Sequence, residues 1–148
     1  MADNRQYLRI GLMGVDYLLP GSAGFTIEKR EDLEVGDSGA LVAAVRAAPN
    51  GTRAPAYSLD AGLNPFPRHG WQRAVFIHGT PAAGLVADEI ELLSPGDVHI
   101  ERFRPLGRPV TRAGHLFSGA WVRAGQVPVL VFEPRALLAY LAQLGGAQ

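Results

Sequence analysis

The stretch from Arg73 to Leu93 constrains this chain most: an apolar run broken once, at Gly79-Thr80-Pro81. Arg73 to His78 is β-branched and aromatic, whereas Gly84 to Leu93 sets Val86, Ile90 and Leu92 against Glu89 and Glu91. A helix crossing the break would meet Pro81, which lacks the amide proton and clashes with the preceding turn. The pattern therefore predicts a β-hairpin with turn chemistry between its arms. Asp88 interrupts the second arm on the face of Val86, Ile90 and Leu92. There it is expected either buried and hydrogen-bonded or displaced by a bulge, its ordinary role being to satisfy a nearby turn.

Other short strands fit around this hairpin. Tyr7 to Met13, a turn at Gly14-Val15-Asp16, and Tyr17 to Leu19 make an opening hairpin, and Phe25 to Ile27 reads as a further strand piece. Glu28 to Asp37 is charged and without apolar period, so it reads as loop. Ala40 to Ala48 holds enough alanine for a helix, yet Leu41-Val42 and Val45 favour a strand by a narrow margin. Arg53 to Leu59 returns after Pro49-Asn50-Gly51, and its Pro55 suits an edge strand or a bulge. Gly62 to Gly70 connects to the central hairpin, Val98 to Phe103 alternates only weakly, and Pro105 to Gly114 is a polar, basic loop. Phe117 to Arg123 and Val127 to Phe132 form a last hairpin. A single helix is expected, at the C-terminal end: Pro134 fits its first position, and Leu137, Leu138, Leu141 and Leu144 fall on one stripe closed by Gly145. Eight to ten strands and one amphipathic helix make a mainly-β domain spanning residues 1–148. The 18 glycines and 11 prolines supply the turns such a fold needs.

Composition narrows the function classes. Fourteen basic and fourteen acidic residues give a net charge of zero, which removes the electrostatic motive for binding nucleic acid or anionic membrane. No apolar run has the length of a spanning helix or a secretory leader, and the absence of cysteine agrees with a cytoplasmic location.

Motifs for catalysis do not assemble. Gly36-Asp37-Ser38-Gly39 matches the nucleophile loop of trypsin-like proteases by letter, but no histidine precedes Ser38 to serve as its base. His69, His78, His99 and His115 have no metal-ligand spacing. Gly11 to Gly14 and Gly21 to Gly24 are G-x-x-G spacings without the flanking helices of an RNA clamp, and Lys29 is the only lysine available to a phosphate loop. Phe25, Tyr57, Phe66, Trp71, Phe76, Phe103, Phe117 and Trp121 read as core. Arg102, Arg104, Arg108 and Arg112 form the one basic cluster, a solvated loop with an acidic partner patch as the second reading. No catalytic residue, metal or cofactor is expected.

The order of elements carries a resemblance. Arg53-Ala-Pro-Ala-Tyr-Ser-Leu59 with Gly62-Leu63, then Ala74-Val-Phe-Ile77, then Gly84-Leu-Val-Ala-Asp88-Glu-Ile90-Glu-Leu-Leu93, and finally Val129-Leu-Val-Phe-Glu-Pro-Arg-Ala-Leu-Leu138 resemble the CheW family of chemotaxis adaptor domains. The chain departs from the family at Ser58 and Glu133, where Asp is usual, and lacks the Arg-Gly step before the proline strand, having Arg46-Ala47 and a turn ending in Arg53. The resemblance implies two small five-stranded β-barrels on a shared core, closed by the C-terminal helix. It implies an adaptor joining chemoreceptor cytoplasmic tips to the regulatory domain of a CheA-type histidine kinase. The alternative is a stand-alone β-barrel module that binds a different protein and no longer the kinase. Ile27, Val45, Arg46 and Arg53 occupy the stretch comparable to the partner surface, with Leu85 on the outward face of the hairpin. Such recognition rests on a few apolar anchors rimmed by charge.

Overall fold

A computed structural model of the chain describes residues 6–36, 41–68, 70–94, 96–104 and 107–145. Strands β1 (Tyr7–Leu12) and β2 (Val15–Pro20) form the opening hairpin. Its tight turn falls on Met13 and Gly14, at φ 48° and 87°. That is one residue earlier than expected, because positive φ at both central positions matches the twist of the flanking strands. Next come β3 (Phe25–Lys29), β4 (Glu34–Val35), β5 (Val42–Ala47) and β6 (Arg53–Tyr57). The charged stretch read as loop thus contains the end of β3, a 3₁₀ turn at Arg30–Asp32 and the two-residue β4. The central hairpin is β7 (Arg73–Ile77) against β8 (Ala83–Ala87), and β9 (Glu89–Leu93), β10 (Ile100–Arg102), β11 (Phe117–Trp121), β12 (Val129–Phe132) and helix α1 (Pro134–Leu144) complete the chain. The protease-like Asp37-Ser38-Gly39 lies outside the described residues.

The strands make two six-stranded sheets, ordered β10-β11-β12-β2-β1-β9 and β3-β7-β8-β6-β5-β4. Each has one strand more than expected, since the short β10 and β4 join as edges. β6 is interior to its sheet, against the edge position Pro55 suggested. The proline is tolerated because pairing with β8 begins only at Ala56, while Pro55 stands opposite Val45 of β5.

Both sheets curl, and the neighbours of their side chains show it. Leu18 points into a cluster with Tyr7, Val98, Val129 and Val131, while Leu19, the next residue, packs with Leu8, Leu85 and Leu137. In the second sheet Ala44, Ala56, Ala74 and Val86 surround Trp71 and Phe76 on the concave side. Alanine there leaves room for the two large rings inside a tight curl. The first sheet's edges meet around its interior, with Leu93 of β9 and Ile100 of β10 on one cluster. The second closes by an ion pair: Arg46 Nε of β5 lies 3.3 Å from Glu28 Oε1 of β3, although three strands separate β3 from β5 in the sheet order. Between the two barrels lies the largest core, where Ile10, Leu12, Ile77 and Leu85 meet Phe132 and the helix. Tyr17, Phe117 and Phe132 stack there with ring centroids 5.1 to 5.8 Å apart. Phe66 and Phe103, expected in the core, are exposed because they lie in connections outside the curls.

Glu133 caps α1, its carboxylate accepting from the Arg135 amide at 3.1 Å, with Pro134 at the first turn. Gly145 ends the helix at φ −78°, not in the left-handed conformation expected of a terminating glycine. Its missing Cβ instead leaves space for the Tyr57 hydroxyl.

The connection after β6 is fastened by three hydroxyls. Ser58 Oγ donates to the Phe66 carbonyl at 2.6 Å, and the Tyr17 and Tyr140 hydroxyls donate to the carbonyls of Ala61 and Leu63, each at 2.5 Å. Burial first, and then the charge of Asp60, raises both tyrosines above their usual value. A raised folded pKa contributes stability that is full below the unfolded value of about 10 and is lost as pH rises through the folded value. Denaturant midpoints should therefore fall as pH rises above about 10, and less so in a Tyr17→Phe/Tyr140→Phe double variant. An equal fall in both proteins would contradict this account of the loop.

Candidate partner-binding surface

The convex face of the second barrel carries four of the five sequence-predicted residues, and strand pairing fixes where each one points. Ile27 pairs with Val75, Val75 with Leu85 and Leu85 with Tyr57, giving one row across β3, β7, β8 and β6. The first barrel and α1 cover the inner members, so Leu85 is fully buried and no part of an exposed strip. The hairpin has no outward face at this point: every residue of β8 is buried. Ile27 is the edge member of the row and remains 39% exposed.

Arg46 also leaves the surface predicted for it. It stands opposite Ala54, on the concave side, and with Glu28 opposite Ala74 it makes the pair that closes the barrel. Ile27 and Val45 each precede a member of this pair, so they point outward on either side of the seam. Val45 sits in a row between Glu34 and Pro55, and Arg53 ion-pairs with Glu34 alongside it. Of the five predicted residues, Ile27, Val45 and Arg53 therefore share one outer surface: two aliphatic side chains rimmed by an exposed ion pair. A pair so exposed stabilises by about 0–1 kcal/mol, which leaves it free to exchange partners.

Sequence reading missed the junction between the barrels. Asp88 is exposed, and as its ordinary role predicts it satisfies a nearby turn, that of Met13 and Gly14; what the pattern hid is that the chain leaves the second sheet at Ala87 and enters the first at Glu89. Its carboxylate accepts the Met13 amide at 2.7 Å and ion-pairs with Arg68, whose side chain is only 9% exposed, while its own amide donates to the Gly11 carbonyl at 2.9 Å. Burial lowers the pKa of Arg68 from the usual arginine value. Removing the carboxylate leaves a nearly buried guanidinium uncompensated, so Asp88→Ala should cost roughly 1–3 kcal/mol, with Asp88→Asn recovering part of it. Unfolding midpoints check this, and an unchanged Asp88→Ala midpoint would contradict it.

Among the described residues no three histidine or carboxylate side chains converge as metal ligands, and no helix is long and apolar enough to cross a membrane. His78 is engaged with Thr26, Nε2 to Oγ1 at 2.7 Å.

No family model matches the chain, and no curated protein matches it in sequence. Among solved structures it is similar to the scaffolding protein TtCheW from Thermoanaerobacter tengcongensis, with a TM-score of 0.59 and 14% identity over 88% of this chain and 89% of that one. Identity so low speaks for the fold alone, and the likeness runs along nearly all of both chains. The fold of this chain is CheW-like.

Proposed function

We propose that this protein is a non-catalytic, cytoplasmic adaptor of a chemosensory array, serving chemotaxis or twitching motility, that couples chemoreceptor tips to the regulatory domain of a CheA-type histidine kinase. The observation that supports this most is the likeness to a scaffolding protein along nearly all of both chains. The outer seam of the second barrel supplies a surface for it, with Ile27 and Val45 as apolar anchors and the Arg53–Glu34 pair as rim. With no net charge to steer encounter at long range, affinity rests on such anchors and on local pairing. A second reading, a stand-alone module for another partner, is favoured by one feature: Arg46 and Arg53 are both ion-paired within the chain rather than held open.

Calorimetric titration with the isolated kinase regulatory domain from the same source tests the first reading. One-to-one binding at about micromolar Kd or tighter is expected. Ile27→Glu should weaken it by about 2 kcal/mol or more, with the thermal melt nearly unchanged because Ile27 is an exposed edge residue. Absence of heat with both the kinase domain and a receptor-tip hairpin would overturn the coupling role and leave the second reading.

A further inference from the structure

The described arginines fall into three groups, the smallest being Arg73 and Arg135, which are exposed and stand singly. Arg9, Arg46, Arg53 and Arg68 are ion-paired, and Arg30 and Arg123 stack on Trp71 and Trp121 with 4.7 and 3.9 Å from guanidinium carbon to ring centroid. Arg102, Arg104, Arg108 and Arg112 are all exposed and have no ion pair among the described residues. Glu101 is the only acid between positions 101 and 112, so four cations without an ion pair fall within eleven residues of a chain of zero net charge.

The start of this basic stretch is held against the first barrel. Ile100 and Arg102 pair with Trp121 and Gly119, and the Phe103 amide donates to the Ser118 carbonyl at 3.0 Å. Gly119 makes the approach possible, since a Cβ there would meet Ile100 Cγ2 at 2.9 Å. Farther along, Thr111 is buried and its hydroxyl donates to the Gly114 carbonyl at 2.8 Å. Between β10 and the barrel end opens a cleft of about 570 Å³, lined by Ile100, Arg102, Phe103, His115 and Phe117 among others. Its one carboxylate, Glu133, is engaged as the cap of α1. The site joins an apolar, aromatic floor to the Arg102 guanidinium, with Arg104 exposed two residues on.

The geometry points to a second interaction surface here, for an extended acidic segment of a partner protein whose apolar side chain enters the cleft beside Phe103. Charge complementarity selects an acidic occupant, and the apolar floor selects a peptide over a polyphosphate, which would leave that floor uncovered. A second copy of this chain fits less well, because Glu89 and Glu91 are already gathered on Arg9 and, among the described residues, the exposed acids without an ion pair, Glu31, Asp32, Asp97 and Glu101, supply no acidic run longer than two. The surface lies on the other barrel from Ile27 and Val45 and stands independently of the proposed kinase contact.

Fluorescence anisotropy with a labelled peptide of about twelve residues, glutamates around one phenylalanine, tests it at low and high salt. The wild type should bind saturably, and more weakly at high salt. Arg102→Ser/Arg104→Ser should weaken binding about tenfold with an unchanged melt. Phe103→Ser should abolish the preference for this peptide over one of glutamate alone. The isolated arginine variants Arg73→Ser and Arg135→Ser, and Ile27→Glu on the other surface, should bind as the wild type does. Should the double variant melt early, Arg104→Ser alone, outside β10, carries the comparison and should still weaken binding. The proposal is overturned by non-saturable binding, by equal losses in the Arg73 and Arg135 variants, by tighter binding of oligothymidylate than of peptide, or by peptide-free self-association that the double variant removes.

Discussion

Leu141→Ala is expected to destabilise the protein by roughly 2–5 kcal/mol, the range for truncating a fully buried leucine whose surroundings only partly collapse. Leu141 has no exposed surface, and it packs in the core shared by both barrels, with Leu137 on the same helix and Phe132 on β12. Because the helix covers that core, the cavity would open where the two barrels are joined rather than at an edge that can fray. Leu138, one residue after Leu137 and only partly buried, should cost clearly less. Urea unfolding of the two variants measures both effects. A Leu141→Ala midpoint equal to wild type would show that the helix does not hold the barrels together.

Gly84→Ala should be comparably damaging for the opposite reason, overpacking. A Cβ at Gly84 would drive into the Val75 carbonyl oxygen and lie 2.9 Å from Phe76 Cδ1. Backbone on a paired, central strand cannot retreat as a flexible side chain would, and β8 is held by β7 on one side and β6 on the other. The expected loss is about 3 kcal/mol, the upper part of the range for an inserted methyl group. Gly51 gives the contrast: its φ is 85°, but a Cβ there meets nothing within 4 Å. Gly51→Ala should therefore cost only about 1 kcal/mol, from backbone conformation alone. If the two substitutions destabilise equally in urea, the close approach of β7 and β8 at Gly84 is not what constrains this position.

These positions also mark where sequence is informative. The β7–β8 hairpin, the opening and closing hairpins and α1 are legible because each is a local pattern bounded by turn or cap residues. The change of sheet at Asp88 is not, since period two continues through it: Val86, Ile90 and Leu92 alternate as if on one strand, and no local signal names the sheet a strand joins. β4 is too short to carry a period, and alanine-rich β5 resembles a helix by propensity because its small residues face the inside of a curl. The candidate surface shows the same limit. An outward Leu85 assumes one solvated face, whereas a strand between two cores has none. Arg46 reads as a rim residue because its partner Glu28 is brought near only when the second sheet closes on itself. Ile27, Val45 and Arg53 fall on one outer surface because alternation along β3, β5 and β6 survives the curl.

The most direct measurement of the central claim is amide hydrogen exchange before and after addition of the kinase regulatory domain and, separately, of a receptor-tip hairpin. With at least one of them, slowing should concentrate on Phe25–Lys29 and on Val42–Ala47, the strands that carry Ile27 and Val45. Slowing that leaves both strands unchanged and falls elsewhere, with either partner, would contradict the assignment of the outer seam as the adaptor's contact surface.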